Sequence, residues 1–236
     1  EQDGGKLRVQ RRMENISRGG LVAFGLTMTF ASVDWAMSLE PHWYSTIYGI
    51  LFIGGQVLSA LAFAILAAAA LATQHEAGEI MSPDRFQDLG KLLLAFVMLW
   101  AYFNFSQFLI IWSADLPEET PWYLRRLEGG WQWTILTVIV LHFALPFVLL
   151  LSRRLKRSRQ WLMGVAALVL AMRTVDLSWL VLPAFERHGG PLVLTDPLAL
   201  LGVGGVWFFF FVRQLRRDPI LPLNDESLPE LQGVEA

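Results

Sequence analysis

Six apolar stretches, each close to the roughly 20 residues a helix needs to cross a bilayer, most constrain what this chain can become. They fall at about residues 19–37, 44–71, 89–112, 131–151, 160–182 and 192–212. Hydrocarbon offers no partner for backbone N–H and C=O groups, so a spanning segment must satisfy them internally. Uninterrupted apolar runs of this length do so as helices. The expected fold is therefore all-α: a polytopic transmembrane helix bundle of about six spans. The composition agrees, with 54% hydrophobic and 17% charged residues against about 25% charged in soluble domains. Residues 1–18 read as a cytoplasmic N-terminal segment, 19–212 as the membrane domain and 213–236 as a cytoplasmic extended tail broken by Pro219, Pro222 and Pro229. The start at Glu1 with no signal-peptide pattern suggests a processed chain, or the C-terminal part of something longer.

Lysine and arginine set the expected orientation. With the N-terminus inside, fifteen of the nineteen fall on inner segments, including Arg11, Arg12, the 153–159 cluster and Arg213 to Arg217. Only Arg125, Arg126 and Arg187 fall outside, and Arg173 lies within a span. This positive-inside asymmetry places both termini in the cytoplasm. The net charge of −2 gives no electrostatic case for nucleic acid.

The turn between the first two spans concentrates polar and aromatic residues. Pro41 disfavours helix at Glu40, and Ser45 or Thr46 can cap the next helix. Trp35, Trp43 and Tyr44 suit an interfacial belt, while Glu40 and His42 are expected to be solvated there. Asp34, just below, is different: an acid within a span needs a partner or water. In the loop between the third and fourth spans, Thr120-Pro121 reads as a cap followed by proline at the first helical position. Trp122, Tyr123, Leu124 and Leu127 are expected to lie on the membrane surface.

Depth follows from a rise of about 1.5 Å per helical residue. On that scale Asp34, Arg173 and Asp176 lie about 22, 20 and 24 Å from the inner ends of their spans, and His142 about 16 Å from the outer end of its own. Arg173 and Asp176 are three apart and share a helix face, as an ion pair would require. Asn104 and Gln107 also share a face and suit interhelical hydrogen bonds. Gln56 is central on the second span, and Lys91 is placed to snorkel. Asp34, His142, Arg173 and Asp176 are the candidates for a proton path, in which imidazole near carboxylates can relay protons.

Several chemistries are excluded or unsupported. There is no cysteine, hence no disulfide, no thiol catalysis and no cysteine-ligated cluster. A bis-histidine haem needs two intramembrane histidines, and only His142 qualifies, because His42, His75 and His188 fall in turns or loops. No phosphate-binding glycine-rich loop or zinc-protease helix is present. No catalytic, cofactor-binding or metal-binding residue is expected in this chain.

Four stretches together resemble one family. They are the 31–49 turn, residues 86–120 (FQDLGK running into LLLAFVMLWAYFNFSQFLIIWSADLPEET), residues 142–152 (HFALPFVLLLS) and residues 175–183 (VDLSWLVLP). These resemble the ActF-type membrane subunit of bacterial alternative complex III, a quinol:electron-acceptor oxidoreductase, and its polysulfide-reductase-type (NrfD-like) relatives. The likeness covers nearly all of residues 16–212. It implies a cofactor-free membrane subunit that is not catalytic alone, in the bacterial inner membrane. Haem c and iron–sulfur clusters are then expected in partner subunits. The implied partners are the bilayer, other membrane and periplasmic subunits, and the quinol pool through a partner. The implied role is packing with a possible proton half-channel through Asp34, His142, Arg173 and Asp176. Such subunits usually have about ten spans, so the chain would be the C-terminal six. A stand-alone proton-coupled transporter is the alternative, although the sequence shows neither the internal repeats nor the broken helices usual in transporters.

Overall fold

A computed structural model describes residues 2–73, 81–185 and 195–217. The tail beyond 217, with Arg187, His75 and His188, lies outside them. Within the described residues all regular structure is helical. The long elements are α1 (Gln2–Trp35), α2 (Tyr48–Leu71), α3 (Pro83–Ala114), α8 (Arg159–Val181) and α9 (Thr195–Leu215). Between α3 and α8 come a short α4 (Thr120–Arg125), then α5 (Trp131–Thr137), a π-helical stretch (Val138–Ala144), α6 (Leu145–Leu151) and α7 (Arg153–Arg157). Among the described residues, six helices are long and apolar enough to cross a membrane: Arg11–Leu39, Tyr48–Leu71, Pro83–Ala114, Trp131–Leu151, Arg159–Ala184 and Pro197–Leu215. The all-α polytopic architecture is thus the one the apolar stretches predict.

Local chemistry explains most of the boundaries. Ser82 caps α3 by accepting the Arg85 N–H at 3.4 Å, with Pro83 at the first helical position. Asp115 ends α3 in the left-handed region (φ 48°), a conformation aspartate tolerates better than most side chains. Two expected caps shift: α2 begins after Ile47 rather than at Ser45 or Thr46, and Glu119 rather than Thr120 precedes α4. Helix α1 begins within the N-terminal residues and runs on unbroken into the first span.

The fourth span is not uniform. Pro146 cannot donate to the carbonyl four residues back, and its ring crowds that carbonyl. The wider π turn immediately upstream absorbs the conflict. It also carries His142.

Helix α2 is the centre of the bundle, packing against α1, α3 and α8. The core repeats at helical spacing: Leu58, Ala62, Ile65 and Ala69 on α2 meet Leu93, Val97 and Trp100 on α3 and Leu162, Ala166 and Val169 on α8. Small residues permit the close approaches. Gly49 faces Thr29 of α1, Gly54 faces the Phe103 ring, and the Lys156 stem lies over Gly90. By contrast, α9 meets α2 through one aromatic cluster, with Phe63 about 5.0 Å from both Trp207 and Phe211. The rest of its apolar surface is uncovered, as is most of α1. Lys91 is exposed and pairs with Asp88 at 2.7 Å.

A buried charge cluster and an ionic clasp

Two polar assemblies sit inside this apolar frame. The deeper one is built on α8. Arg173 and Asp176, one turn apart, form a buried ion pair. Asp176 Oδ2 also accepts the indole N–H of Trp100 from α3 at 3.2 Å. The same Trp100 ring meets His142 edge-on, with centroids 4.5 Å apart. His142 is fully buried. Neither of its ring nitrogens makes a hydrogen bond of good geometry among the described residues, although the Val169 backbone acts on the ring. Three of the four sequence candidates are therefore brought together, with Trp100 joining His142 to Asp176. Asp34 is not with them. It lies on an exposed face of α1 near its end, and no ion pair or hydrogen bond links it to the cluster among the described residues.

Room for the Arg173 guanidinium comes from Gly55 on α2, where a side-chain carbon would overlap it. Gly55→Ala should therefore push the guanidinium off Asp176 and lower stability by about 1–3 kcal/mol, the usual range for overpacking. Denaturation in mixed micelles checks this, and an unchanged midpoint would show that Arg173 has other space to occupy.

The second assembly lies at the α4 end of the bundle. Glu40, expected to be solvated, is instead only 7% exposed. It pairs with Arg125 and, at 2.8 Å, with Arg126, an ion pair by distance although the angle is poor for a hydrogen bond. Burial replaces solvation because Arg126 is itself 1% exposed. Its guanidinium donates to the Trp179 carbonyl at 3.3 Å, the Leu180 carbonyl at 2.8 Å and the Trp122 carbonyl at 3.1 Å. The first two are carbonyls at the C-terminal end of α8, which lack intrahelical partners and carry the negative end of the helix dipole. The guanidinium also stacks 3.6 Å over the Trp122 ring, which in turn stacks with Trp43 at 4.8 Å. Burial lowers the Arg126 pKa from its ordinary value, and the charge of Glu40 opposes that shift. Burial likewise raises the Tyr123 hydroxyl above its usual range, with Arg126 opposing.

Trp122 is thus a core residue, not a surface anchor, while Leu124 and Leu127 of the same segment are exposed. His42 is exposed as expected. Gln107 is buried with its carbonyl oxygen unpartnered among the described residues, and Asn104 donates to the Trp100 carbonyl of its own helix at 2.9 Å. Neither makes the interhelical bond expected of it. The described residues hold no group of three or more histidine, aspartate or glutamate side chains able to bind a metal.

Beside the deep cluster a crevice of about 650 Å³ opens between α3 and the fourth span. Phe105 and Ile139 line its mouth, Tyr123 and Leu127 its α4 end, and Asp176 and Trp179 its floor. Compared with protein-family models and with curated proteins, the sequence matches none.

Proposed function

We propose that this chain is a cofactor-free integral membrane subunit of a bacterial quinol-oxidising complex of the alternative complex III kind, with a proton-exchanging site in its outer half. One observation supports the reading most. Three of the four stretches that carry the likeness to that family, residues 86–120, 142–152 and 175–183, meet in the bundle, while the fourth, residues 31–49, adds nothing to this cluster. The three contribute Trp100, His142 and Asp176 respectively. Ionisable side chains buried within membrane spans are functional by default, because their burial is costly. In this reading both termini lie in the cytoplasm of the inner membrane and the Glu40–Arg126 clasp faces outside, as the charge asymmetry requires. Haem c and iron–sulfur clusters reside in partner subunits, which also meet the quinol pool. Apolar faces left uncovered on α1 and α9 suit contact with lipid and with neighbouring subunits.

The interrupted fourth span favours a second reading, a stand-alone proton-coupled transporter, since such proteins build their sites on discontinuous helices. Purification from native membranes through a tag on this chain separates the two. The expected result is co-purification of a multihaem c-type cytochrome and an iron–sulfur subunit with quinol-oxidising activity. A chain that purifies without them, and moves protons alone in vesicles, would establish the transporter instead.

A further inference from the structure

Asp176 uses only one of its two carboxyl oxygens. Its Oδ2 accepts from Arg173 and Trp100. Its Oδ1 accepts nothing among the described residues, yet it is not one of the sealed buried atoms, so the residue's 1% exposure is concentrated there. That oxygen meets the crevice between α3 and the fourth span, which Asp176 lines. The crevice is open at mid-span, where Met98, Phe105 and Ile139 are all about half-exposed or more. A molecule entering there comes from the hydrocarbon of the bilayer. At the α4 end the ring of Tyr123 lies 5.3 Å from Phe108 and 6.4 Å from Trp179, within the range of aromatic contact. Packed rings therefore stand between Asp176 and the membrane boundary, and the easier approach to the acid is sideways, from lipid.

The other polar groups of the lining leave this acid as the one to react. Asn104 is an amide that already donates to the Trp100 carbonyl, Tyr102 and Tyr123 are phenols, and Asp176 is the sole carboxyl among the lining residues. A solute that reaches it through hydrocarbon must be neutral and apolar. At about 650 Å³ the crevice has the size of a small-molecule site. We propose that the crevice is a lateral portal from the bilayer, and that Asp176 is a modification site for small neutral electrophiles of the carbodiimide class. The acid's proton passes to one carbodiimide nitrogen while Oδ1 bonds the central carbon. The acyl carbon then moves from that oxygen to the second nitrogen, leaving the oxygen as a urea carbonyl. Nothing departs, and the apolar walls exclude the water that would hydrolyse the first adduct. The portal stands on the crevice alone, whereas reaction of the native acid also rests on the proton exchange proposed above.

The test uses the full chain in vesicles. Diisopropylcarbodiimide should add one whole reagent mass to the peptide holding Asp176, and a carbodiimide bearing a fixed quaternary ammonium should not. Ile139→Trp, which narrows the mouth at an exposed position, should cut the labelling several-fold. Asp176→Cys reads access apart from protonation, in a chain with no cysteine of its own, since its thiolate can take the carboxylate's place beside Arg173. Cyclohexylmaleimide should react there at least about tenfold faster than a sulfonated maleimide, because a charge enters hydrocarbon at high cost. Fast thiol labelling beside an unlabelled native acid would keep the portal but overturn the modification site, and would count against proton exchange at Asp176. A thiol that reacts equally with both maleimides, or with neither in a variant that folds as the parent does, would overturn the portal. Native-chain labelling that Ile139→Trp leaves unchanged would do the same, and decides the matter if Asp176→Cys does not fold.

Discussion

Glu40→Ala should destabilise the chain by about 3–5 kcal/mol, the range for removing one partner of a buried ion pair. The cost arises because Arg126 stays where it is. It is buried under Trp122 and bonded to the carbonyls of Trp179 and Leu180, so it cannot turn to water without uncapping α8. Arg125, more than half exposed, adds little, since ion pairs in water are weak. Replacing both partners, with Glu40→Leu and Arg126→Met, should recover only part of the loss, because the α8 carbonyls then have no donor. Unfolding in mixed micelles measures both variants. Parent-like stability of Glu40→Ala would mean that Arg126 is held by the backbone bonds alone.

Asp176→Ala should cost a similar amount, about 3–5 kcal/mol, by leaving Arg173 buried without its partner. Here the apolar double replacement should behave differently. Arg173 bonds Asp176 and no backbone carbonyl among the described residues, so Arg173→Met with Asp176→Leu removes both charges and uncaps no helix, leaving only the Trp100 indole N–H without its acceptor. Stability should return to within about 1–2 kcal/mol of the parent, as exchanged buried pairs commonly do. If the chain works as proposed above, within a proton-releasing complex, that release should nevertheless be lost. A double variant that is stable and still releases protons as the parent does would make the pair a packing device and remove it from any proton route.

These two assemblies differed in how far the sequence revealed them. Arg173 and Asp176 were legible because three-residue spacing on an apolar helix places them on one face regardless of the rest of the fold. Their meeting with His142 through Trp100 was not, since depth along a helix leaves its rotation undetermined. The same gap separates Asp34 from the cluster: its height is compatible, but its side of α1 is exposed. Glu40 looked solvated because it follows a helix end and precedes proline, while the group that buries it lies on another loop far along the chain. Trp122 looked like a surface anchor because an apolar residue carries no mark of whether lipid or protein covers it. The spans themselves were plain, since hydropathy and length decide them, and the π turn had a local signal in Pro146.

The clasp also bears on the order in which the chain can be completed. Glu40 belongs to the first hairpin, Arg126 follows the third span, and the carbonyls it caps lie 53 and 54 residues further on, at the end of the fifth. During synthesis the acid and the guanidinium emerge well before their final surroundings exist. Until α8 arrives, both remain hydrated at the membrane boundary, where charged groups cost little. Arrival of α8 supplies the carbonyls and the Trp179 ring that allow the pair to be enclosed. The last contact at this end of the bundle is therefore also the one that reports five spans correctly inserted.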